Sequence, residues 1–81
     1  MGVEQDKFAV MLEMLVPQVV ALIAERKGLS ALDAIGLFYA SVLYERLEIE
    51  ETKLWHLSAH TLYDLLDEEL ATGKITYPEE A

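Results

Sequence analysis

The sequence contains no cysteine, and it is poor in basic residues, glycine and proline. Without cysteine the chain cannot be a disulfide-stabilised scaffold, and its composition fits a reducing compartment, so we expect a cytoplasmic protein. Six Lys and Arg residues stand against 15 Asp and Glu residues, which gives a net charge of −9. Because phosphate binding requires a basic patch, we expect no interaction with nucleic acid.

The residue types needed for catalysis are also missing or already explained. The four glycines are isolated from one another, so the chain has no glycine-rich phosphate-binding loop. Ser30, Ser41 and Ser58 each occupy a position typical of helix capping. Carboxylates one helical turn apart, such as Asp64 and Asp67, also describe any solvated helix face. We therefore expect no enzymatic activity, no catalytic residue, no metal site and no cofactor.

Apolar residues are abundant, at 53% of the 81 residues. This share is too large for intrinsic disorder, and the length suits one domain, residues 1–81, rather than two. The charge is unevenly placed, with five acids and three bases in residues 1–40 but ten acids and three bases in residues 41–81. Such an acidic surface favours solubility and suits the docking of a basic protein partner.

The longest apolar stretch covers residues 8–24 and is interrupted by Glu13, Pro17 and Gln18. It is shorter than the ~20 apolar residues of a membrane-spanning helix, so we expect a buried or oligomer-forming helix and no membrane partner. Pro17 leaves two possibilities, a kink in one helix or the start of a second helix. One helical stripe is the candidate self-association surface, and it consists of Phe8, Met11, Leu12, Leu15 and Val19.

Capping residues predict three further helices, which begin after Ser30, Ser41 and Ser58. Gly28 and Gly73 mark the ends of the first and last helices. In the second helix we expect an apolar face that includes Leu32 and Ile35. Gly36, in the same helix, indicates the close approach of another helix, with a flexible hinge as the alternative.

Two segments read as extended. Residues 53–57 alternate polar and apolar side chains, and residues 74–77 form a tail that could pair with them as a two-stranded ribbon. The predicted fold is therefore all-α, a compact bundle of about four helices with a short extended segment near residues 53–57 and an extended C-terminal tail.

The aromatic residues and one histidine provide a candidate interaction surface, because partly exposed Tyr and Trp are common in protein interfaces. His56 and His60 have an i, i+4 spacing, but Leu57 breaks the HExxH pattern and Ser58 separates the two elements. His56 is therefore either a packed loop residue or a ligand contact. The candidate surface comprises Tyr39, Tyr44, Trp55, His56 and Tyr63.

Five short segments share a pattern with known sequences: Leu29-Ser30, Leu37–Ser41, Tyr44–Leu47, Leu54–His56 and Ser58–Leu65. Together they resemble a family of small bacterial helical proteins of unknown function, often encoded beside predicted toxin-like ADP-ribosyltransferase domains. The chain departs from the family in that Tyr63 follows Ser58 by five positions rather than about three. The resemblance implies an antitoxin or accessory role, and it assigns no functional residues.

The sequence thus predicts a non-enzymatic protein-interaction module that forms a homo-oligomer, with a dimer favoured, and that offers an acidic surface to a basic partner. One alternative is a small metal-binding or enzymatic domain that uses His56 with nearby carboxylates. Another alternative is a purely structural homo-oligomer.

Overall fold

The computed structural model describes residues 3–77, with the side chains of residues 7–77. Two single turns of 3₁₀ helix, Glu50–Thr52 and Leu54–His56, lie between the last two α-helices. No strand occurs between residues 3 and 77, so the all-α prediction is confirmed. The four α-helices are α1 (Val3–Lys27), α2 (Ala31–Tyr39), α3 (Val42–Leu47) and α4 (Ala59–Thr72).

Helix α1 continues through Pro17 as one helix, which decides between the two possibilities that the sequence left open. Pro17 is exposed, and so is Glu13, whose carbonyl loses its helical partner at a proline and can be hydrated. The helix ends where expected, since Gly28 adopts a left-handed φ of 67°. The N–H of Leu29 then donates to the carbonyl of Ala24 at 3.0 Å.

The predicted caps are confirmed. In each case the serine hydroxyl accepts the N–H of the residue three positions later, at 3.0 to 3.1 Å. Gly73 ends α4 with a left-handed φ of 78°, and its N–H donates to the carbonyl of Glu69. The capping serines are Ser30, Ser41 and Ser58.

The core forms where α1 packs against α2, α4 and the second 3₁₀ turn, while α3 packs against α4. Every α-helix contributes at least one fully buried large side chain, so none of the four α-helices is peripheral to the core. These fully buried residues are Val19, Ile23, Phe38, Leu43, Leu47, Leu62 and Leu66.

The extended segment near residues 53–57 was predicted wrongly. Leu54 and Trp55 are adjacent and both buried, which a helical turn permits and an extended strand, with alternating side chains, does not. The left-handed residue Lys53 (φ 60°) separates the two 3₁₀ turns, and the Trp55 indole N–H donates to the carbonyl of Glu50 at 3.0 Å. The predicted ribbon is accordingly not formed.

The tail at residues 74–77 has no regular secondary structure and is fastened to α4 instead. The N–H and the hydroxyl of Thr76 donate to the Glu68 carboxylate at 3.0 and 2.7 Å. These hydrogen bonds stabilise the ionised acid and lower the pKa of Glu68.

The second helix differs from the prediction in what its residues contact. A Cβ built on Gly36 would meet no atom within 4 Å, so this glycine does not mark a close helix approach. Leu32 is 77% exposed and Ile35 is exposed as well, whereas Ala34 and Phe38 supply the buried face of α2. Helix α2 is therefore apolar on two sides, and only one side enters the core.

Candidate functional site

The five residues predicted as an interaction surface do not lie on one surface. Trp55 and Tyr63 are only 4% and 7% exposed and belong to the core. Tyr39 is 51% exposed, His56 is exposed and Tyr44 is half-buried. Tyr39 and the half-buried Tyr44 therefore remain together near the surface, and the prediction is wrong in placing Trp55 and Tyr63 beside them there.

Trp55 is packed against three side chains of the protein itself. The edge of the Phe8 ring meets it with the ring centroids 5.4 Å apart, and the Lys53 ammonium lies 5.8 Å from its centroid. The His56 ring packs beside the indole, at 4.1 Å between centroids. His56 thus packs on Trp55 at the end of the second 3₁₀ turn while remaining exposed, and its role as a ligand contact stays a prediction.

Tyr63 covers the contact between α1 and α4. The Arg26 guanidinium and the Lys27 ammonium lie 5.2 and 5.7 Å from its ring centroid. Lys27 also forms an ion pair with Asp67 at 2.9 Å, and this hydrogen bond is the main reason that the pKa of Lys27 is raised. Tyr63 and its neighbours thus join two helices.

The candidate self-association stripe is the inner face of α1. Leu15 and Val19 are buried in the chain's own core, so they are not available to a partner. Phe8, Met11 and Leu12 are partly buried and pack against the same core. The helical spacing was recognised in the sequence, but the assignment of Leu15 and Val19 to a partner was wrong, because the chain's own core buries them. For the partly buried Phe8, Met11 and Leu12 it stays a prediction.

A different set of apolar side chains is exposed on α2 and at the start of α3. Three of them have the spacing i, i+3, i+7, which places them on one side of α2. The fourth is the first residue of α3. We name this set the α2–α3 surface, and it consists of Leu32, Ile35, Tyr39 and Val42.

Tyr39 is stacked on Tyr44 at the edge of the α2–α3 surface. Their ring centroids are 4.5 Å apart and the ring planes differ by 15°. The Tyr44 hydroxyl donates to the Glu48 carboxylate at 2.9 Å. Burial and this neighbouring carboxylate raise the pKa of Tyr44 to about 12. The result is a rigid aromatic pair that ends in an acidic group.

Glu69 lies on α4, far from α3 in the sequence, but it holds the start of α3 in place by direct hydrogen bonds. Its carboxylate accepts the N–H of Val42 at 2.8 Å and the N–H of Leu43 at 3.0 Å. Ser41, the residue immediately before α3, caps the same helix with its hydroxyl. The sequence analysis missed Glu69, because it lies on α4 and no local pattern connects it to the start of α3.

An open groove of about 600 Å³ runs between α1 and the segment that leads into α4. Its walls are mainly apolar, and its ionisable groups are Glu25, His56 and His60. Among the side chains of residues 7–77, no group of three or more His, Asp or Glu residues is placed to hold a metal ion. The alternative that His56 acts with nearby carboxylates therefore gains no support from this groove.

Helix α1 also requires comparison with membrane helices. By length and composition alone, residues 7–27 could cross a membrane, a test that core helices of soluble proteins and signal sequences also pass. Only 22% of its most apolar window is buried in the protein. The expectation that the protein has no membrane partner stays a prediction.

Comparisons with known proteins identify no relative. No protein-family model, no curated protein and no solved structure matches this chain. The family resemblance of residues 29–65 is thus untested, and the antitoxin or accessory role that it implies stays a prediction. The function has to be argued from the surface of the molecule.

Proposed function

We propose that this protein is a non-enzymatic protein-interaction module, and that the α2–α3 surface binds a basic, amphipathic segment of a partner protein. The observation that carries the proposal is the joint exposure of Leu32, Ile35, Tyr39 and Val42 on a folded helical domain. Clustered apolar side chains rimmed by polar residues are typical of interaction sites.

The fold does not explain why these side chains are apolar. Ala34 and Phe38 already supply the buried face of α2, and Phe38 is fully buried. Leu32, at 77% exposure, contributes little to the core in this position. A partner that covers Leu32 and Tyr39 would remove their apolar area from water, which stabilises a complex by about 25 cal/mol per Å² before the costs of association.

The charges around this surface indicate the chemistry of the partner. Asp33, Glu45 and Glu48 are exposed on α2, in α3 and immediately after α3. Lys and Arg side chains of a partner would meet these carboxylates, and an Arg could also stack on the exposed ring of Tyr39. The attraction should weaken as salt is raised, because these charges are exposed to solvent.

The specific role that we propose is that of an antitoxin-like or accessory protein in the cytoplasm. It rests on the family resemblance, which implies a partner encoded by a neighbouring gene. The acidic and apolar character of the α2–α3 surface supports such a role, since a basic partner segment could be masked there.

The experiment is co-expression with the products of the adjacent genes, followed by calorimetric titration of the purified pair. Replacing Tyr39 with Ala should weaken the complex at least about tenfold, since a large exposed aromatic contact is lost. Tyr77→Ala is the matched control, because Tyr77 is also exposed but lies on the tail. Failure of every adjacent product to bind, or equal effects of the two variants, would contradict the proposal.

A further inference from the structure

Helix α1 is apolar on the side that faces away from the core as well as on the side that faces it. Val10 and Met14 are 53% and 55% exposed, and Pro17 and Ala21 are exposed too. These four residues follow steps of four, three and four positions, the spacing of a seam between two packed helices. We name them the outer face of α1.

The outer face of α1 is continuous with the groove beside it. Ala21 belongs to both, and Gln18 lines the groove next to it. A small residue at position 21 permits close approach of another helix, and the groove of about 600 Å³ offers space for protruding side chains such as Val10 and Met14. The face therefore has both the projections and the recess that a helix–helix contact needs.

Charged residues at the two ends of this face indicate which helix would fit it. Lys7 and Glu25 are both exposed and lie on the same side of α1, because they are separated by a whole number of helical turns. Against an antiparallel copy of α1, each Lys7 would face a Glu25, and the contact would occur twice. Against a parallel copy, each residue would face its own like charge, which is repulsive.

We propose that the outer face of α1 binds a second copy of this chain, with the two α1 helices antiparallel about an axis near residue 16. The contact is the same patch on both chains, as a two-fold dimer requires. It shares no residue with the α2–α3 surface, so the dimer would offer two partner sites. The proposal is independent of the proposed function.

A membrane is the other class of partner that an exposed apolar helix could have. The inner face of α1 is already covered by α2 and α4, and Glu13, Gln18 and Glu25 are exposed around the outer face. A net charge of −9 also opposes binding to anionic lipid. These observations favour a second copy, and vesicle binding serves as an opposing outcome in the test.

The first test measures molecular mass by sedimentation equilibrium across a dilution series. We expect the wild-type chain to form dimers at micromolar concentrations and Met14→Lys to raise the dimer Kd at least about a hundredfold, since it would place an unpaired charge in the seam. Ile49→Lys is the matched control, because Ile49 is similarly exposed but lies outside α1. Circular dichroism verifies that both variants remain helical.

The second test addresses the antiparallel arrangement. Lys7→Glu and Glu25→Lys should each raise the dimer Kd about three- to tenfold, and the double variant should return it close to the wild-type value. In a parallel dimer each single change would merely replace one like-charged pair with another. Failure of the double variant to recover would overturn the antiparallel arrangement.

The remaining outcomes also decide the matter. A wild-type chain that is still monomeric at a protein concentration of about 100 μM would overturn the proposal. So would a Met14→Lys variant that remains a dimer. The same proteins are sedimented with phosphatidylcholine vesicles. We expect no association, whereas vesicle binding that Met14→Lys abolishes would assign the outer face to a membrane instead of a second copy.

Discussion

Helices α1 and α4 pack against each other, yet their solvent-facing sides have opposite chemistry. Helix α4 buries Leu62 and Leu66 and exposes Asp64 and Asp67. Helix α1 buries an equally apolar stripe but exposes Val10 and Met14 among the residues of its outer face. Carboxylates dominate the outer side of α4, although Leu70 is 45% exposed there, while the apolar side chains on the outer face of α1 would gain free energy when something apolar covers them.

This difference shows how the composition should be interpreted. A net charge of −9 and a hydrophobic share of 53% describe a protein that is both strongly acidic and rich in apolar residues. The two properties are unevenly spread along the chain, so they can serve different contacts. Glu45 and Glu48 of the second half lie in and just after α3, next to the α2–α3 surface, and exposed apolar residues of the first half form the outer face of α1.

The largest effect that would test this comparison comes from shortening one side chain on each side of α1. Leu15→Ala should lower the free energy of unfolding by about 2–5 kcal/mol, because Leu15 is buried and a cavity would remain. Met14→Ala, the matched change at the next residue, should cost less than about 1 kcal/mol in the monomer. Urea unfolding measures both free energies, at a protein concentration below the dimer Kd so that only the monomer is present.

Equal losses for the two variants would break the distinction between the faces of α1. The same geometry determines the outcome of Leu15→Glu. If the predicted self-association stripe were a partner surface, Leu15→Glu would dissociate an oligomer, but the buried position of Leu15 means that this change should unfold the chain. Met14→Lys is the substitution that separates association from folding.

A smaller effect tests whether the acids of the second half are only a solvated surface. Glu69→Ala should cost about 1–2 kcal/mol of stability, because two N–H groups at the start of α3 lose their acceptor. Asp64→Ala is the control, since Asp64 is an exposed acid on the same helix. Thermal unfolding compares the two, and equal melting temperatures would show that Glu69 has no structural role.

Local patterns predicted the helices well, because their causes are local. A serine hydroxyl that accepts an N–H three residues later, or a glycine that takes a left-handed φ, is determined within a few residues. For this reason Ser30, Ser41, Ser58 and Gly73 were all placed correctly. The cap supplied by Glu69 could not be predicted, since it depends on how α4 lies against α3.

The sites were harder to predict, because helices that are apolar all round do not reveal which side enters the core. In α2 the sequence offers Leu32 and Phe38 as equally good core residues, and only packing against α1 selects Phe38. For the same reason, the sequence did not show that Leu15 faces the core, and we expected it to contact a partner. In residues 53–57 the alternation of polar and apolar side chains suggested a strand, but the segment contains a 3₁₀ turn. The hydrogen bond from Trp55 to the carbonyl of Glu50 stabilises this turn, and the pattern of side chains does not reveal it.

The smallest effect concerns Tyr44, which links the aromatic pair to the acidic surface through Glu48. Its pKa is raised from 10.0 to about 12, first by burial and then by the hydrogen bond to the Glu48 carboxylate. Because the folded-state pKa lies above the unfolded value, the stability contributed by the neutral hydroxyl is complete below pH 10 and is lost as pH rises from 10 to 12.

Tyr44→Phe should therefore cost less than about 1 kcal/mol at neutral pH, and it should remove the late ionisation, at a pKa of about 12, from an ultraviolet titration. Glu48→Gln should lower the pKa of Tyr44 only part of the way to 10.0, because burial is the larger cause. Tyr77→Phe is the control and should leave the late ionisation in place. If Glu48→Gln instead returned the pKa of Tyr44 all the way to 10.0, the carboxylate rather than burial would be the main cause of the raised pKa. The acidic residues would then influence the aromatic pair more strongly than the geometry indicates.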